Sequence, residues 1–129
     1  MHYNNRSADA EDVAREIIAD GGEAVVVRAT LRDEDAARAL VAQTAQRLGP
    51  VDILVNNAGI FTDALVEELT AQVWDETIAV NLSTPFHCAR ACIPEMRAKK
   101  KGRIISLSSQ AAFAGSPAHA HYAASKAGL

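Results

Sequence analysis

Tyr122 and Lys126 stand four residues apart in Tyr122-Ala123-Ala124-Ser125-Lys126. On a helix that spacing puts both side chains on one face. A free tyrosine phenol titrates near pH 10, too high for proton transfer at neutral pH. A well-placed ammonium favours the phenolate by about 1–3 pKa units, and a tyrosine so assisted can work as a general acid or base. Ser109 could hydrogen-bond a substrate oxygen on which charge develops. Taken alone, the Tyr–Lys pair reads first as an ordinary exposed helix pair.

These residues need elements to bring them together, and the apolar pattern supplies them. Ser7 is expected to cap a first helix with Ala10, Val13, Ala14, Ile17 and Ile18 on its apolar stripe; Gly21-Gly22 ends it. The β-branched run 24–27 predicts a strand. Asp33 caps a second helix carrying Ala37, Leu40, Val41 and Leu48, which Gly49-Pro50 stops. Residues 51–55 are apolar except for Asp52, as suits a parallel strand covered on both faces. The turn Asn56-Asn57-Ala58-Gly59 follows. Thr70 caps a long helical stretch to Lys99, in which Pro85 and Pro94 predict bends or breaks. Lys99-Lys100-Lys101 complements the dipole at its end. Residues 103–107 form a third strand, 108–117 a loop and 119–129 a last helix. Strands alternating with helices mean an α/β fold with a parallel sheet. In such sheets ligands bind beyond the carboxyl ends of the strands. Thr30, Asn56 to Gly59, Ser108 and Ser109 all fall on that one edge.

The 129 residues, 49% hydrophobic and 22% charged, fit one domain with room for a core. A net charge of -3 and 5% aromatics give no footing for nucleic acid or an acidic membrane. No run approaches the ~20 apolar residues of a membrane span, and no secretory signal opens the chain. Cys88 and Cys92 lack the spacing of a redox or zinc pair and read as small buried hydrophobes in a reducing cytoplasm. His87, His119 and His121 make no metal set and are expected on the surface or in loops. Trp74 and Phe86 are expected to pack. Both chain ends read as cut within a larger unit.

Together, Asn56-Asn57-Ala58-Gly59, Asn81, Ser109, Tyr122 and Lys126 occur at the spacings of the short-chain dehydrogenase/reductase family. With Asp52-Ile53-Leu54-Val55, Gly102-Arg103-Ile104-Ile105 and the run 122–129, essentially the whole chain resembles that family. The resemblance implies a partial Rossmann-like, doubly wound parallel sheet holding strands 3, 4 and 5 with their flanking helices. It further implies hydride transfer between a nicotinamide cofactor and a small carbonyl or alcohol substrate. Tyr122 would be the acid-base residue, and Lys126 would favour its phenolate and hold the nicotinamide ribose. Ser109 would orient the reacting oxygen. Asn81 would hold a water linking Lys126 to solvent, or else satisfy a helix kink near Pro85. Asn56, Ala58 and Gly59 would shape the cofactor side, although Asn56 could simply stitch strand ends. Ser108 reads as structural.

After the family's second strand an acidic residue suits NAD and a basic one NADP. Arg6 stands there, so NADP is favoured over NAD; the alternative is a solvated turn residue. Thr30 takes the place of a frequent aspartate at the adenine. No glycine-rich phosphate turn occurs in the sequence. A sheet ordered 3-2-1-4-5-6 without strand 1 would carry a gap at its centre and an open apolar edge. The chain alone is therefore expected neither to bind cofactor tightly nor to turn over. The rival expectation is an inactive fragment that only associates with other subunits or folds poorly alone. The full-length form would be a homo-oligomer.

Overall fold

The computed structural model describes residues 1–129. In chain order the elements are β1 (His2–Tyr3), α1 (Ser7–Ala19), β2 (Val27–Arg28), α2 (Glu34–Leu48), β3 (Ile53–Asn56), α3 (Ala71–Ile78), a π-helical segment (Ala79–Ser83), α4 (Thr84–Lys99), β4 (Arg103–Ser106), α5 (Ala111–Ala114) and α6 (Ala120–Ala127). No helix is long and apolar enough to cross a membrane.

The strands are parallel but form two separate ladders. His2 and Tyr3 of β1 pair with Val27 and Arg28 of β2. Ile53 to Asn56 of β3 pair in register with Arg103 to Ser106 of β4. No ladder joins the two sheets. Between them lies an open slot of 450 Å³, walled by Met1 and His2 on one side and Ile53 to Ala58 on the other, with Leu31, Leu40, Cys88 and Cys92 between. The expected central gap is therefore present.

β1 escapes the sequence reading because two residues show no periodicity. It exists through its partner: the Met1 ammonium donates to the Val25 carbonyl at 2.6 Å, and Ala29 N–H to Tyr3 C=O at 3.1 Å. The expectation that residues 51–55 are covered on both faces is overturned. Leu54 and Asn56 turn inward, whereas Ile53 and Val55 are 60% and 54% exposed. Besides its partner strand, α4 packs on β3.

The caps largely follow side-chain chemistry. Asp33 accepts from Ala36 N–H at 2.8 Å, and Thr70 accepts from Val73 N–H at 3.3 Å. Ser7 does not cap α1; it is the first helical residue, and Arg6 precedes it without a side-chain cap. The long helix breaks where proline demands it, but upstream. Pro85 has no N–H, and the turn before it widens into the π segment, with the single Thr84 Oγ1 hydrogen shared between Ala79 C=O and Leu31 C=O, each at 3.1 Å. Pro94 is accommodated inside α4. Trp74 and Phe86, expected to pack, are exposed. α4 carries its small residues inward instead, against α2.

Leu31, Ala37 and Cys88 form the centre of the core, with Ala29, Ala36, Leu40 and Leu54 against it. Burial, and then the neighbouring Cys92, pushes the Cys88 thiol from its ordinary 9.0 up to about 11. The folded state thus holds this proton more tightly than the unfolded chain. That contribution to stability is complete below pH 9 and is lost as pH rises from 9 toward 11. Urea midpoints are expected to fall across that window, and Cys88→Ala to flatten the fall. Thiol reagents at neutral pH should react slowly with the native chain, because the thiolate is the reactive form.

Candidate active site

α6 lies against α3, α5 and the π segment, with His121, Ser125 and Lys126 as its buried residues. At its end, a Cβ on Gly128 would come within 2.9 Å of the Leu82 methyls, which would have to shift. The helix delivers Tyr122 and Lys126 to one pocket of 240 Å³, lined also by Asn57, Gly59, Phe61, Leu107 and Ser108.

Lys126 is 6% exposed. Its Nζ donates to the Leu107 carbonyl at 2.7 Å and lies 5.9 Å from the centre of the Tyr122 ring. An ammonium has three donors, so capacity remains toward the pocket. Gly59 lies beside it: a Cβ there would press on Asn81 Oδ1 at 3.3 Å and sit in ordinary contact with Lys126 Nζ at 3.8 Å. Ser108 Oγ donates to the Lys126 carbonyl at 2.7 Å and so ties the end of β4 to α6.

Asn81 sits in the π segment and is fully buried. Its Oδ1 accepts from Ile60 N–H at 2.8 Å; its Nδ2 donates to Ile60 C=O at 2.9 Å and to Ser125 Oγ at 3.1 Å. The side chain thus pins the loop after β3 to α6, with both amide hydrogens in use.

The model of the short-chain dehydrogenase family matches residues 1–129. The chain belongs to that family. Among its relatives, a 3-oxoacyl-[acyl-carrier-protein] reductase of Synechocystis sp. is 39% identical over 129 residues, covering 100% of this chain and 52% of the relative. The Staphylococcus aureus and Staphylococcus epidermidis reductases of the same name are each 36% identical, with 52% and 53% of their lengths covered. The chain spans about half the length of the curated relatives it matches.

In this member of the family the residues singled out in the sequence are only partly brought together. Tyr122, Lys126, Gly59 and Asn81 converge. Ser109 does not line the pocket; its Oγ accepts from Ala111 N–H at 3.2 Å and starts α5. Asn56 stitches the two strands, its Nδ2 donating to Ser106 Oγ at 3.3 Å, and faces the slot with Ala58. Arg6 is exposed and 3.6 Å from Asp9. Thr30 Oγ1 donates to Asn4 Oδ1 at 3.1 Å. Arg6 and Thr30 lie just past β1 and β2, and neither lines the Tyr122 pocket.

Two positions read differently in three dimensions. Phe61 lines the pocket, though nothing in its loop sequence marks it. His121, expected at the surface, is fully buried in α6 with neither ring nitrogen paired. An unpaired buried polar group costs about 1–3 kcal/mol. His121→Leu is therefore expected to raise the stability of the chain by about 1 kcal/mol, read as a higher urea midpoint at unchanged slope.

Proposed function

We propose that this chain carries the proton-transfer half of a reductase that moves hydride between NADP(H) and the 3-oxo group of an acyl thioester. The observation that carries the reading is the shared pocket of Tyr122 and Lys126, with a buried ammonium held at 2.7 Å by a backbone carbonyl. The substrate class comes from the names of the relatives, which are reductases of 3-oxoacyl carrier protein.

The residues present fit the nicotinamide and ribose end of the cofactor. Lys126 offers free donors, and the space a Cβ would take at Gly59 stays open beside it. When bound, the cofactor supplies the hydride that reaches the carbonyl carbon. Tyr122 Oη gives its proton to the carbonyl oxygen as negative charge grows there. Lys126 stabilises the phenolate that results and holds ribose hydroxyls. At the far end, Arg6 can exchange its exposed partner Asp9 for a 2′-phosphate, since such surface pairs hold only about 0–1 kcal/mol. This favours NADP over NAD. For Ser109 to orient the substrate oxygen, its hydroxyl must leave Ala111 N–H.

A second reading is favoured by the unjoined sheets and the slot between them: a chain that associates with other subunits without turning over. The purified chain is mixed with NADPH and a 3-oxoacyl thioester, and NADPH absorbance is followed. Consumption that needs the thioester and disappears in Tyr122→Phe supports the first reading. No consumption, together with no calorimetric binding of NADPH, supports the second.

A further inference from the structure

On the rim of the pocket, the loop after β3 meets the segment before α6. Ala64 N–H donates to the Ala118 carbonyl at 2.8 Å, and Ala64 bridges to His119 in parallel. The His119 ring closes the junction on both sides. Its Nε2 lies 2.5 Å from Asp63 Oδ1 and its Nδ1 2.9 Å from Ser116 Oγ. A ring engaged at both nitrogens has its plane fixed.

Phe61 stacks on that plane, with centroids 4.1 Å apart and 23° between the rings. The same Phe61 meets Tyr122 edge-on at 4.7 Å and 86°. Asp63, His119, Phe61 and Tyr122 therefore touch in sequence from solvent to pocket. Tyr122 Oη has no hydrogen bond within the chain, so the orientation of this ring rests on packing. Phe61 is itself 59% exposed and would be free to change rotamer without the rings on either side.

We propose that His119 is a positioning residue: held by Asp63 and Ser116, it seats Phe61, and Phe61 seats the Tyr122 ring. The functional meaning rests on the reading of Tyr122 as proton donor; the mechanical linkage does not. Offset and edge-to-face aromatic contacts have preferred geometry, so a tilt of one ring is passed to the next. Asp63 does not touch Tyr122, which makes the linkage testable at a distance.

The test uses the whole chain with its aromatic rings labelled with carbon-13 and follows ring resonances by NMR. Asp63→Asn keeps the size of the side chain and removes its charge at an 84% exposed position. The Tyr122 ring resonances are expected to shift in Asp63→Asn and in Phe61→Leu. Those of Tyr3 and Trp74 should stay in place, showing that the fold is intact. Asp63→Glu should return Tyr122 to its original position. Tyr122 resonances that stay fixed in Asp63→Asn while those of His119 move would overturn the linkage. Because the readout is ring position, a chain that fails to consume NADPH removes the proton-donor reading without deciding this one.

Discussion

On the first reading, in which the chain consumes NADPH with a 3-oxoacyl thioester, Tyr122→Phe is expected to lower that turnover by about 10²–10⁴-fold, the usual worth of a positioned acid or base. The substitution removes one oxygen and leaves the ring, so contact with Phe61 and the 5.9 Å approach of Lys126 Nζ persist. Oη has no partner within the chain, so its removal orphans no buried group. Stability should therefore change little, and the loss should fall on kcat with KM nearly held. Steady-state rates of NADPH consumption for the two chains, matched for circular dichroism, check this. A fall of less than tenfold would mean that the proton comes from elsewhere. Ser108, which also lines the pocket, then becomes the next hydroxyl to test. Lys126→Met would be a poorer first experiment, because it also breaks the tie to the Leu107 carbonyl and would mix chemistry with folding.

Much of this arrangement was readable along the chain because the forces involved are local. The Asp33 and Thr70 caps, the stop at Gly49 and the shared face of Tyr122 and Lys126 depend on neighbours within a helical turn or so. Three features needed distant partners and were not readable, and a fourth turned on a local competition. β1 is two residues long and exists only against β2. The π segment answers both the missing N–H of Pro85 and the demands of Thr84, whose hydroxyl reaches Leu31. Phe61 enters the pocket because His119, far along the chain, gives it a surface to stack on. Ser109 matched its expected spacing, yet a neighbouring backbone N–H at the start of α5 captures its hydroxyl. Spacing fixes which residues can meet; competition among nearby donors decides whether they do.

The gap between the sheets has the same origin. The run 51–55, apolar except for Asp52, reads as a strand buried on both faces, and its composition suits that setting. In the structure the setting is half built, so Ile53 and Val55 meet water, and the edge of β3 faces an open slot. Unpaired apolar edges of this kind invite association. Any loss of stability elsewhere therefore acts on a fold with little to spare.

Asn81→Ala is expected to be such a loss, at roughly 3 kcal/mol. Three contacts vanish at once. Ile60 loses a partner for its N–H and another for its C=O, while Ser125 Oγ loses a donor but still donates to the Tyr122 carbonyl at 2.7 Å. Alanine offers the Ile60 groups no replacement partner. Native domains are stable by only about 5–15 kcal/mol, so the change is a large share of the total. Asn81→Asp keeps the acceptor for Ile60 N–H but sets a carboxylate oxygen against Ile60 C=O, and it should be no better tolerated. Urea unfolding of the three chains gives the comparison, with the midpoint falling at unchanged slope. This result also separates two roles for Asn81. A strut predicts that activity and stability fall together, because the loop bearing Gly59 and Phe61 is released from α6. A side chain that chiefly holds a water for Lys126 predicts a native midpoint with turnover lost. Both amide hydrogens and Oδ1 are already committed to Ile60 and Ser125, which places the weight on the strut.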